Sequence, residues 1–171
     1  MTSQNPYTLL ELEPTFAIDI KTLDQQYFKL QRQFHPDRFA QHTEEERKVT
    51  ENHSSLLNYA YQNLKRPIER AKSLAQLLGH EIEVLRSSET ILVEAMHWRE
   101  RVLVTEVGSS DLDTLSQELQ QDMSACLDAI DLAFMTRDFS ALSPLVTKLS
   151  FLEKVAQDIK KKGQINVTPN F

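Results

Sequence analysis

The chain has 171 residues, enough for one ordinary domain or two small ones, and 40% of them are hydrophobic, so a packed core is within reach. Only three glycines and six prolines accompany a composition rich in Leu, Gln, Glu, Lys and Ala, which favours long helices with short connections and predicts an all-α fold. The formal charge is −6, and a single cysteine, Cys126, excludes an intramolecular disulfide and any cysteine-built zinc or iron-sulfur site within the chain.

The acidity is confined to one half. Residues 1–78 carry ten Lys or Arg against ten Asp or Glu, and residues 79–171 carry nine against fifteen. Without a long basic stripe the chain is poorly suited to sequence-nonspecific nucleic-acid binding, which needs several neutralised phosphates. The N-terminus, MTSQNPYTLL, lacks a basic region followed by an apolar run, and no uncharged apolar segment approaches the roughly 20 residues that span a bilayer. The expected location is cytoplasmic, with no membrane partner.

In chain order, Asn5-Pro6 pairs a capping residue with proline at the first helical position, predicting a short helix from Pro6 to Leu12, stopped by Pro14. Asp19 caps a second helix, in which Ile20, Leu23, Tyr27, Leu30 and Phe34 recur at spacings of three and four. Lys21, Lys29 and Arg32 lie off that stripe. Pro36 forces an end to this helix, because its ring restricts the preceding residue and it has no N–H to donate. Thr43-Glu44-Glu45-Glu46 reads as a capping box opening a third helix, with Val49, His53, Leu56, Leu57, Ala60 and Leu64 on one side and a stop before Pro67. The second and third helices should form an antiparallel pair. A fourth helix, Ile68 to Leu78, ends at Gly79, and the polar HEIEVLRSS segment follows as a boundary.

Three further helical patterns run from Ser88 to Glu106, Leu112 to Thr136 and Ser140 to Lys162, the arrangement of an antiparallel three-helix bundle. Pro144 fits only the first turn of the last of them. Core stripes are Ile91, Ala95, Trp98 and Val102; Leu119, Met123, Cys126, Ile130 and Ala133; and Leu142, Leu145, Leu149, Leu152, Ala156 and Ile159. Cys126 serves there as a small hydrophobe with no redox role. The expected organisation is 1–78, a linker at 79–87, and 88–171.

The segment QRQFHPDRF interrupts the second helix with His35, Pro36 and Asp37. Catalysis would need a cooperating group within hydrogen-bond reach, and no nucleophile lies near in sequence. His35, His42, His53, His80 and His97 form neither a His-x3-His nor an HExxH pattern, so no metal or other cofactor is expected. A proline-stiffened tip beyond a basic helix face suits partner docking, since little ordering entropy is lost.

A short helix, a basic-faced helix, an HPD loop, a longer helix carrying LNYAYQNL, and RPIERA together resemble a J-domain, over about residues 4–78. The resemblance implies docking on a seventy-kilodalton heat-shock chaperone and stimulation of its ATPase. His35, Pro36 and Asp37 would be the functional tripeptide, with Lys29, Arg32, Lys21 and Arg38 as electrostatic contacts.

In the second half, Leu92, Val93, Met96 and Leu103 fall away from the Ile91-Ala95-Trp98 line at about 100° per residue, and Phe151 falls opposite the mean of Leu149 and Leu152. Periodicity leaves two homes open: packing on neighbouring structure, or an exposed apolar patch. The order of parts, with QRQFHPDRF, RPIERAKSLAQLLG and KLSFLEK, resembles the HscB co-chaperone family of iron-sulfur cluster assembly over nearly the whole chain. That family implies a bundle that binds an IscU-type scaffold through a largely apolar patch and delivers it to an HscA-type chaperone. The matching positions are Leu92, Val93, Met96, His97, Glu100 and Phe151. His97 stands where members often place an acid. Some eukaryotic members carry an N-terminal cysteine-rich zinc module, so the expected form is the compact bacterial one. The chain is expected to be no enzyme. Other readings are a J-protein with an unrelated client, a helical adaptor that uses the hairpin only as structure, and, more remotely, a metal hydrolase.

Overall fold

The computed structural model describes residues 5–34, 43–84, 89–107 and 109–164. Among them the regular structure is helical: α1 (Pro6–Leu9), α2 (Ile20–Gln33), α3 (Glu44–Lys65), α4 (Pro67–Leu77), α5 (Glu89–Val104), α6 (Ser110–Thr136), a 3-10 turn at Phe139–Ala141, and α7 (Leu142–Gln164). The chain divides into two compact units, Met1–Glu81 and Ile82–Phe171.

Capping chemistry sets the starts of the first three helices. The Asn5 carboxamide accepts from the Tyr7 N–H at 3.0 Å ahead of Pro6. Asp19 accepts from the Thr22 hydroxyl at 2.8 Å and from the N–H groups of Lys21 and Thr22 at 3.2 Å, and these bonds lower its carboxyl pKa. Thr43 and Glu46 close a full capping box.

Helix α1 is shorter than the sequence predicts. It stops at Leu9 because Glu11 takes a left-handed conformation, φ +53°, and the N–H of Leu12 closes back onto the Tyr7 carbonyl at 2.9 Å. Glycine is the usual residue at such a cap, and a side chain there costs about 1 kcal/mol. Glu11 has compensation: its carboxylate accepts from Gln26 at 2.8 Å and pairs with Lys29 at 3.5 Å, joining the turn to α2. Gly79 occupies the equivalent place after α4 with φ +82°, where the N–H of His80 reaches the Ala75 carbonyl at 2.9 Å.

In the N-terminal unit, α2 and α3 pair antiparallel. Tyr27 stacks on Tyr61 at 4.1 Å between ring centroids, and the Tyr61 hydroxyl donates to Asp24 at 2.8 Å. Gln31 and Ser54 exchange hydrogen bonds of 3.2 and 3.3 Å, and Phe34 meets His53 at 4.0 Å. Partner numbers fall on α3 as they rise along α2, which fixes the register as far as Phe34, the residue that follows α2. Leu23, Leu30, Leu57, Ala60 and Leu64 form the seam, and Tyr7 and Leu10 close it from α1. Tyr7 is fully buried and donates to the Thr15 carbonyl at 2.9 Å. Arg70 of α4 is buried, its guanidinium 4.9 Å from the Phe16 ring centre and donating to the Leu64 carbonyl at 3.2 Å.

The expected stripe needs revision at two points here. Val49 is 68% exposed, and Thr50 is buried in its place, its hydroxyl satisfied by the Glu46 carbonyl at 2.9 Å. Ile20, in the first turn of α2, stays exposed.

In the C-terminal unit α7 packs against both α6 and α5. Its buried arc is therefore broader than one stripe: Leu142, Leu149, Leu152 and Ile159 are buried as expected, but Val146 and Val155 are buried with them, while Leu145 and Ala156 are half-buried. Leu115, Leu119, Cys126, Ile130 and Ala133 answer from α6, and Ala95, Trp98 and Val102 from α5. Pro144 sits at the third position of α7, where no N–H is required. Cys126 is buried, and desolvation raises its thiol pKa, as suits a packing residue. Ion pairs lace the bundle: Arg101 of α5 with Glu118 of α6, and Lys148 of α7 with Glu94 of α5 at 2.9 Å. Lys162, near the end of α7, donates to the carbonyls of Val102 and Leu103, capping the C-terminus of α5.

Candidate functional site

The tripeptide His35, Pro36, Asp37, together with Arg38, lies outside the described residues. What is described is the platform that leads to it. Lys21 and Arg32 are exposed on α2 opposite the buried Leu23–Leu30 line, and Lys29 is exposed on its flank. Lys29 is tied to Glu11, but both side chains of the pair remain more than half exposed, so the ammonium is still presented outward.

Among the basic side chains stands a residue that sequence reasoning missed. Phe28 is 57% exposed and, at about 100° per residue, lies on the same side of α2 as Lys21 and Arg32, within about 40° of both. Its ring touches only the neighbouring Tyr27 among the described aromatics, centroids 5.4 Å apart. The signal was legible: Phe28 is the one large apolar residue of α2 off the three-and-four spacing. An exposed aromatic within a cationic face offers a partner both apolar area and charge.

A second surface lies on the bundle. Leu92, Val93 and Met96 are 49, 62 and 64% exposed, and His97 and Glu100 are exposed beside them. Phe151 of α7 is half-buried, and with Leu92, Ile91 and Ala95 it lines a groove of about 200 Å³ between α5 and α7, which Arg99 and Lys154 also line. Of the two homes that periodicity left open, α5 takes the exposed one, and Phe151 is the anchor on the facing helix. The six positions expected for a client patch thus fall on α5 and across the adjoining groove.

Among the described residues no cluster of His, Cys, Asp and Glu is arranged to hold a metal ion, and no helix is long and apolar enough to cross a membrane.

An antiparallel hairpin with α1 and α4 packed on it, followed by a three-helix bundle, is an all-α architecture of a J-like unit joined to a C-terminal helical bundle, the plan of a co-chaperone. Solved structures share it. Chaperone HscB from Vibrio cholerae superimposes with a TM-score of 0.84 at 27% identity, over 95% of this chain and 99% of that one. Human co-chaperone protein HscB superimposes with a TM-score of 0.86 at 27% identity, over 95% of this chain and 83% of that one. A co-chaperone protein HscB homolog of Neisseria meningitidis is 30% identical over 158 residues, 90% of this chain and 95% of that protein. Residues 87–160 match the family model described as HSCB C-terminal oligomerisation domain. The chain belongs to the HscB co-chaperone family.

Proposed function

We propose that this protein binds an IscU-type iron-sulfur scaffold through its bundle, delivers it to an HscA-type seventy-kilodalton chaperone, and accelerates ATP hydrolysis by that chaperone. The observation that carries the reading is the exposed Leu92-Val93-Met96 face beside the Phe151 groove, in a chain of this family. Such an apolar face on an otherwise acidic bundle is suited to a protein client. The hydrolytic chemistry belongs to the chaperone, so the chain needs no active site of its own.

His35, Pro36 and Asp37 act as the docking tip toward the chaperone, with Lys29, Arg32, Lys21 and Arg38 steering an acidic partner surface onto α2. Residues 1–78 serve the chaperone, 79–87 link, and 88–171 hold the client. Work in the cytoplasm is consistent with an unpaired, buried Cys126.

The test is single-turnover ATP hydrolysis by the cognate chaperone with wild-type protein and with His35→Gln. Stimulation by the wild type alone is expected. Equal rates with both, or no stimulation by either, would remove the J-domain mechanism.

A further inference from the structure

The exposed face of α5 does not stop at Met96. An interval of eleven residues returns to the same side of a helix within about 20°, three turns and about 16 Å further on. Leu92 and Leu103 are so related, and so are Val93 and Val104. Leu103 and Val104 are 78% and 74% exposed, more open than the first pair. Each row therefore starts and ends apolar with polar residues between: Leu92 and Met96, then Arg99, then Leu103 on one, and Val93, then His97 and Glu100, then Val104 on the other.

A second groove accompanies the second apolar pair. It has a volume of about 290 Å³ between α5 and α7 and is lined by Arg99, Val102, Leu103, Val155 and Asp158. Arg99 lines both this groove and the Phe151 groove, so the two lie end to end with one guanidinium between them. Two of the other arginine and lysine side chains of this unit, Arg101 and Lys148, are consumed in ion pairs across the bundle, whereas Arg99 is exposed and has no ion pair among the described residues. Nor is the distal apolar pair a frayed helix end. Lys162 holds the Val102 and Leu103 carbonyls, fixing the last turn of α5 against α7.

We infer that the client face is bipartite: a second apolar station at Leu103 and Val104, with Arg99 between the stations, docks a scaffold surface presenting two apolar groups about 16 Å apart and a carboxylate between them. This rests on the client reading above and extends it. Charge selects the occupant, since an exposed cation between two apolar stations is complementary to an acidic, amphipathic partner segment.

Titration calorimetry of the full chain against purified IscU-type scaffold tests it, with sedimentation equilibrium of each protein alone. Leu103→Ala/Val104→Ala should weaken scaffold binding about tenfold, as loss of an apolar anchor pair does, with helix content unchanged. Arg99→Gln should weaken it about fivefold and flatten its salt dependence. Leu92→Ala/Val93→Ala/Met96→Ala separates the two levels. If that triple variant weakens binding while the Leu103/Val104 and Arg99 variants do not, the distal station is overturned and the client reading stands. If none of the three weakens binding, both fall. If the Leu103/Val104 change leaves scaffold affinity intact but dissociates a wild-type dimer, the distal station belongs to a second copy of the chain, and the inference is overturned.

Discussion

Replacing Leu92, Val93 and Met96 together by alanine should weaken scaffold binding by roughly 30- to 100-fold. Fully burying a side chain of this kind is worth about 1.5–3 kcal/mol, but a partner can cover only the area still open. With exposures of 49, 62 and 64%, each residue offers about 1 kcal/mol and the three about 3 kcal/mol. Side-chain ordering on docking removes part of that, which leaves about 2–2.7 kcal/mol in the measured affinity. The fold should be spared, because exposed helix positions gain propensity on substitution by alanine. Trp98, the only tryptophan, is buried on the other side of α5, so its emission should not move. Isothermal titration with the scaffold, run beside thermal melting and tryptophan fluorescence, gives the answer. A loss below threefold with an unchanged melt would refute the assignment of this face.

Three other outcomes are expected. Glu11→Gln releases Lys29 from its ion pair and removes a negative charge beside α2, so association with the chaperone should speed up about twofold at low salt, with the gain vanishing at high salt; stopped-flow rates at two ionic strengths decide it. Tyr7→Phe should cost about 1 kcal/mol at neutral pH by orphaning the Thr15 carbonyl. Burial also raises the Tyr7 phenol pKa far above its ordinary value near 10. Its contribution to stability is therefore complete below pH 10 and is lost as pH rises through the higher folded-state value, with a slope of up to about 1.4 kcal/mol per pH unit. Denaturant melts between pH 8 and 11 should show this alkaline decline in the wild type and a flatter one in Tyr7→Phe; parallel slopes would contradict it. Gly79→Ala meets open space but must hold φ +82°, so a loss of about 1 kcal/mol in urea melts is expected, from backbone strain alone.

Local signals in the sequence located the helices well because caps are local chemistry. Asn5-Pro6, Asp19 and the Thr43–Glu46 box each carry their own hydrogen-bond acceptors, and the helices start where those acceptors are. The end of α1 was not legible, because Glu11 adopts a glycine-like conformation held by Gln26 and Lys29 from another helix. Val146 and Val155 were missed because a single-stripe template cannot anticipate a helix packed on two neighbours at once. The same template did expose Leu92, Val93 and Met96, by failing to accommodate them. It passed over Phe28, which breaks the α2 stripe in the same way, and it did not carry the α5 face as far as Val104.

The bond from Lys162 to the end of α5 spans 60 residues of chain. At about 5–20 residues per second, a ribosome that has finished α5 needs roughly 3–12 s more to supply that lysine. Contacts within the α2–α3 hairpin close much sooner, so the N-terminal unit can be complete while the groove between α5 and α7 still lacks one wall. Timed proteolysis of ribosome-bound chains would reveal such an order as early protection of α3 and late protection of α5. During its own synthesis, a protein of this plan would complete the exposed apolar side of its bundle last.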